Sequence, residues 1–131
     1  MEGFAILVGH LVGDYILQND WMASNKTNPH TILGHLACTV HVSCYTAAIA
    51  FTSFWWMPWW GYIACFAIHW VIDRYRLARK WMSVIGQEAF ATGPLSPWSI
   101  IVVDNVWHLV TLLIIAALSG RLPLFLLARM I

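Results

Sequence analysis

The chain has 131 residues, of which 60% are apolar, 9 are Trp and only 10% are Asp, Glu, Lys or Arg, with a net charge of +1. A soluble domain carries about 25% charged residues, and the mean hydropathy here is +0.69. This composition excludes a disordered chain, offers nucleic acid no electrostatic footprint, and leaves so short a chain too little interior to hide its apolar surface, so it reads as an integral membrane protein.

A helical span needs about 20 residues to cross about 30 Å of hydrocarbon. The first candidate covers residues 3–18 and is short, interrupted by His10 and Asp14. Its start, MEGFAILVGHLVGDY, has no basic n-region and does not read as a cleavable signal peptide. Residues 20–30, DWMASNKTNPH, read as a polar loop. The second span covers 31–54 and has no formal charge. The stretch SFWWMPWWG (53–61) sets four Trp around Pro58, the pattern of a turn at the membrane–water interface. The third span covers 60–75. Arg76 to Pro97 follows as a longer connector, with an amphipathic interfacial helix expected at Leu77 to Ile85. The fourth span covers 97–118 and carries only Asp104 and His108, and from Gly120 the chain is read as returning to the interface. The expected fold is all-α: one domain over residues 1–131, a four-transmembrane-helix bundle with a short amphipathic connector between the third and fourth helices. Cys38, Cys44 and Cys65 lie in apolar stretches without CxxC spacing and read as small buried hydrophobes.

Orientation follows from Lys and Arg. Lys26, Arg74, Arg76, Arg79 and Lys80 fall on one side of a four-span chain, the Trp-rich turn has none, and the tail holds Arg121 and Arg129. The side of Lys26 and the Arg74–Lys80 connector is therefore expected to be cytoplasmic, with both termini outside.

Three of the six acids fall inside the spans, and each has a histidine four residues away: His10–Asp14, His69–Asp73 and Asp104–His108. That spacing places each pair on one helix face, one turn apart. In the two spans running toward the cytoplasm the order is His then Asp, and in the fourth, running away, it is Asp then His. All three acids thus lie on the cytoplasmic side of their histidines at similar depth, where His41 of the second span joins them and Tyr45 follows one turn further out. An ionised carboxylate in lipid costs on the order of 3 kcal/mol, so three of them call for a compensating partner. A lone His–Asp pair is more often a local hydrogen bond; three at matched depth favour a shared polar site. A divalent metal is the strongest partner for His10, Asp14, His41, His69, Asp73, Asp104 and His108, and imidazole plus carboxylate suits Zn, Fe or Mn better than Ca or Mg. Seven candidate ligands exceed the four of a structural zinc site, enough for a dinuclear centre or for one metal with carboxylates orienting the histidines.

Other polar residues are read beside this set. Gln18 extends the first helix's stripe toward a bound substrate or else caps the span. Gly9 and Gly13 would let another helix approach closely. Arg74 and Arg76 are placed to bind a phosphate at the mouth of the site or else to anchor the cytoplasmic side. His30 lies in the loop, and His35 sits about 120° around the helix from His41, so neither joins the set.

The segments HLVGDYILQNDWM (10–22), HVSCYT (41–46), HWVIDRYR (69–76) and VVDNVWH (102–108) resemble a bacterial and phage family of small membrane proteins, domain-of-unknown-function family 3307. The G-D-Y-x-L-Q core of the first segment is the most specific; the family's last motif tends to read Asp-Gln where this chain has Asp104-Asn105. The resemblance implies that His10, Asp14, Gln18, His41, His69, Asp73, Asp104 and His108 are the family's polar set and that the protein resides in a bacterial inner membrane, and it implies no activity.

Chemistry then favours a membrane-embedded metal-dependent hydrolase. A divalent metal lowers the pKa of a coordinated water toward 7, with Asp14, Asp73 or Asp104 as ligand or general base. The depth of the site suits a lipid-like substrate held by Gln18, Arg74 and Arg76. The alternatives are a small metal-ion or proton transporter, which would need a homo-oligomer to enclose a path, and a non-catalytic membrane factor built around a structural polar or metal site.

Overall fold

The structure is a computed structural model that describes residues 2–28, 30–53 and 56–120. Its elements are α1 (Glu2–Leu11) running into a π-helical turn (Val12–Ile16), α2 (Asp20–Asn25), α3 (Ile32–Thr52), α4 (Trp59–Arg74), α5 (Leu77–Val84), α6 (Glu88–Thr92) and α7 (Trp98–Leu118). Among the described residues there is no strand. The expected return of the chain to the interface beyond Gly120, with Arg121 and Arg129, lies outside the described residues, as do the tip of the Trp-rich turn at 54–55 and Pro29.

Local chemistry sets the boundaries. Asn19 and Thr31 cap α2 and α3, their side-chain oxygens each accepting from the backbone N–H three residues on, both at 3.0 Å. Pro58 precedes α4, where its missing N–H costs nothing. Arg76, between α4 and α5, adopts the left-handed conformation with φ 52°. Its N–H donates to the Asp73 carbonyl at 3.1 Å, stopping α4 and turning the chain sharply into α5. The expected connector helix is α5, whose Ala78 and Met82 are buried while Lys80 and Trp81 are exposed; the short α6 was not anticipated.

Four helices close a ring, α1 against α3, α3 against α4, α4 against α7 and α7 back against α1, with α2 laid on α3 and α5 on α7. The ring's interior is divided. One part is apolar, with Ile6, Tyr45, Ile49, Met57, Cys65, Leu112, Ile115 and Ala116 packed together. The other holds His10, Asp14, His41, His69, Asp73 and His108, all buried. The outer surface is the reverse: Phe4, Ile16, Ile32, Phe51, Trp59, Val102 and Leu118 are all more than half exposed. Polar inside and apolar outside is the arrangement a lipid solvent favours. Two helices, α3 and α7 with 21 residues each, are long and apolar enough to cross a membrane. The other two expected spans are shorter. The apolar stretch of the first ends at Ile16, and α4 has 16 residues, about 24 Å of helix.

A buried histidine–aspartate cluster

Five side chains from four segments meet at the polar end of the ring. Asp14 comes from the π-helical turn, where the Leu17 N–H reaches back five residues to the Val12 carbonyl at 3.0 Å. Gly13 brings that turn against α3, where an added Cβ would lie 2.7 Å from Tyr45 Cδ2 and 3.0 Å from Tyr45 Cα. His41 comes from α3, His69 and Asp73 from successive turns of α4, and His108 from α7.

Asp14 Oδ1 lies 3.3 Å from His41 Nε2 and 3.5 Å from His69 Nε2, and those nitrogens are 3.2 Å apart. On the same nitrogens Asp73 Oδ2 closes a second triangle, at 3.2 Å and 3.3 Å. Asp73 Oδ1 accepts from His108 Nε2 at 3.2 Å, and Asp104 Oδ2 lies 3.3 Å from the same nitrogen. The His69 and His108 rings stack, 3.9 Å between centroids and 11° between planes. Two buried groups are thus placed to hold a metal ion: Asp14, His41 and His69, and His69, Asp73 and His108. Asp14 Oδ1 is buried and accepts no well-aligned hydrogen bond from its neighbours. Around a tetrahedral metal with bonds of 2.0–2.1 Å, ligand atoms lie about 3.3 Å apart, which is the spacing of both triangles. On distance and donor type the residues fit a transition metal.

His10 takes a different position. The Asn105 side-chain amide donates to the Ile101 carbonyl at 2.7 Å, which turns Asn105 Oδ1 toward His10 Nε2, also at 2.7 Å. Nε2 therefore carries the proton, and Nδ1, 3.0 Å from the Tyr45 hydroxyl, accepts from it. Nδ1 also lies 3.3 Å from Asp14 Oδ2. Both ring nitrogens are engaged, Nε2 by Asn105 and Nδ1 by Tyr45, so His10 holds the Tyr45 hydroxyl from behind. Asn105 further donates to the Tyr15 hydroxyl.

Lys26 was read from the sequence only as a loop charge, yet its ammonium enters the cluster. Nζ lies 2.7 Å from Asp73 Oδ2 and donates to His41 Nε2 at 3.1 Å. Burial pulls its pKa down, but the Asp73 and Asp14 carboxylates outweigh that and hold it above the ordinary lysine value. The signal available in the sequence was charge balance: three acids inside spans, Arg74 at the end of the third span the one Lys or Arg within any of them, and Lys26 the only Lys or Arg before it.

A cavity of about 390 Å³ opens beside the cluster, lined by Asp14, Asp73 and Asp104, by Gln18, and by Lys26, Arg76 and Arg79. All three acids therefore face one space, as their order along the helices implied. Gln18 Oε1 is buried there without a hydrogen-bond partner. Pro97, Ile100 and Ile101 of the α7 end form an apolar wall. Arg79 is tied to Glu88, which Nη1 reaches at 3.0 Å. Arg74 is placed elsewhere. It is buried and donates to the Lys26 carbonyl at 3.3 Å and to that of Asn28, clamping the loop that carries Lys26. His35 stacks on Trp70, outside the cluster.

A comparison with protein-family models matches residues 4–126 to a family described as "Protein of unknown function (DUF3307)". No curated protein and no solved structure matches the chain.

Proposed function

Because the chain belongs to the DUF3307 family, whose description assigns no activity, we propose a function from the site itself: a membrane-embedded metal-dependent hydrolase acting on a lipid-like or membrane-associated substrate. The observation that carries this is the buried triangle of Asp14 Oδ1, His41 Nε2 and His69 Nε2, with edges of 3.2–3.5 Å, beside a cavity with one polar and one apolar side. In this reading α1 with its π-helical turn, α3, α4 and α7 all cross a bacterial inner membrane, the shorter two by local thinning of the bilayer. Lys26 and the connector from Arg74 to Lys80 face the cytoplasm.

Asp14, His41, His69, Asp73 and His108 would hold the metal, zinc, iron or manganese; His69 is common to the two overlapping ligand groups, and its single Nε2 lone pair would serve one ion at a time. Bound there, such a metal would supply Lewis acidity and lower the pKa of a water beside these residues. Asp104 is outside both ligand groups and its side chain is 29% exposed, which suits it to take up the proton as general base. Gln18 and Arg76 bind the polar part of the substrate, Arg76 in preference to the buried Arg74, and the apolar part lies along Pro97, Ile100 and Ile101. Elemental analysis of detergent-purified protein tests this directly. Wild type is expected to hold a stoichiometric transition metal and Asp73→Ala to lose it; wild type without metal sinks the reading.

A second reading draws on the unbroken run Asp14, His41 or His69, Asp73, His108, Asp104, each link 3.2–3.5 Å. Such a chain is the makings of a proton or metal-ion path through a homo-oligomer. Flux into proteoliposomes that survives His69→Ala counts against it.

A further inference from the structure

We propose that Lys26 is a tethered counter-ion that a divalent metal must displace, so that the cluster alternates between a lysine-closed and a metal-loaded form. The proposal rests on the metal reading above and adds a competitor to it. The Lys26 ammonium occupies two of the atoms a metal would use, Asp73 Oδ2 at 2.7 Å and His41 Nε2 at 3.1 Å. An imidazole nitrogen has one lone pair, which accepts from an ammonium or binds a metal but not both. A metal within about 2.2 Å of those two atoms would also crowd the ammonium, and two cations at that range repel strongly where water is scarce.

The loop is built for such an exchange. Arg74 holds the backbone at the Lys26 and Asn28 carbonyls, and α3 approaches so closely at Gly34 that an added Cβ would strike the Asn28 carbonyl. The backbone of Lys26 is therefore fixed while its flexible four-carbon stem is free to swing. The cavity that Lys26 lines gives the displaced ammonium a polar place to go, beside Gln18 and Asp104. In the closed form Lys26 offsets the charge of Asp73, which otherwise stands buried among imidazoles, so the bundle holds together before any metal arrives.

The test is equilibrium dialysis of chelator-stripped, detergent-purified full chain against zinc and manganese, with thermal unfolding in chelator and in metal, for wild type, Lys26→Met, Lys26→Gln and Lys26→Arg. Lys26→Met, or Lys26→Gln if the methionine variant does not fold, is expected to bind metal roughly tenfold tighter or more. It should lose thermal stability in chelator and regain it with metal, and its shift between the two should exceed that of wild type. Lys26→Arg, which keeps the charge, should not gain affinity. Equal or weaker binding by the neutral variants overturns the proposal, as does a loss of stability that metal fails to reverse, the mark of a purely structural lysine. Gain of affinity in Lys26→Arg overturns it too. Absence of metal from every protein, wild type included, instead removes the metal reading itself and this inference with it.

Discussion

Substituting Gly13 by Ala tests the assembly of the cluster by sterics alone, without touching a polar atom. The added methyl would lie 3.0 Å from Tyr45 Cα and 2.7 Å from Tyr45 Cδ2. Carbon atoms rest at 3.5 Å or more, so the π-helical turn and α3 must part by about 0.5–0.8 Å. The Tyr45 ring cannot absorb the clash by swinging aside. It is buried, its hydroxyl is bound to His10, and its face lies 3.9 Å from the His69 ring centroid. Asp14, the next residue, moves with the turn, and its reach to His41 and His69 grows beyond the present 3.3–3.5 Å. Overpacking of this kind costs about 1–3 kcal/mol. Equilibrium unfolding in mixed detergent should show that loss, and the metal content of the purified variant should fall together with it. Gly3→Ala is the control, since nothing lies within 4 Å of its added Cβ. A Gly13→Ala protein with wild-type stability and wild-type metal content would refute the claim that close approach of these two segments sets the cluster's geometry.

Three further outcomes follow from the surrounding residues. Arg76→Gly removes a side chain from a left-handed backbone position and should stabilise the fold by about 0.5–1 kcal/mol by equilibrium unfolding; a loss of stability would mean that the side chain holds the α4–α5 turn by its own contacts. Asn105→Leu leaves the His10 Nε2 proton unpaired in the interior and should cost about 1–3 kcal/mol by equilibrium unfolding, and a neutral result would mean that His10 does not depend on that bond. The hydrogen bond from Arg79 holds the exposed Glu88 carboxyl below its ordinary pKa. The α5–α6 tie is thus intact above the unfolded glutamate value and lost as pH falls through the lowered one. The Glu88 carboxyl resonance should titrate at lower pH in wild type than in Arg79→Ala, and coincident curves would contradict the pairing.

The helices were legible because their signal is continuous. Apolar runs between polar loops placed four segments within a residue or two of α1 with its turn, α3, α4 and α7, and the i, i+4 spacing of His69 and Asp73 survives as a contact of 3.3 Å. The meeting of the acids was legible too, because helix direction and residue order bring them toward one end of the bundle, and Asp14, Asp73 and Asp104 do line one cavity. What one dimension could not hold was rotation about each helix axis and the path of the loops. The π-helical turn adds a residue that an ideal 3.6-residue period does not foresee, and with it Asp14 reaches His41 and His69 while His10 is left to Tyr45 and Asn105. Lys26 and Arg74 exchanged their expected parts for the same reason. A loop lysine and a helix-end arginine look alike as anchors of the cytoplasmic side, and only the fold shows one entering the cluster and the other holding the loop that delivers it.

The contribution of α7 to the cluster has a consequence for how the protein is made. Asp14, Lys26, His41, His69 and Asp73 are all synthesised before residue 98, whereas His108, the partner of Asp73 Oδ1, belongs to the last described helix. A nascent chain that ends before α7 therefore holds Asp73 with only Lys26, His41 and His69 around it, and α1 is without the helix that closes the ring behind it. Folding of the ring cannot be completed helix by helix in finished pieces. The early segments must wait, partly satisfied, for the last one to arrive, which makes that interval of synthesis the moment when the chain is most open to proteolysis.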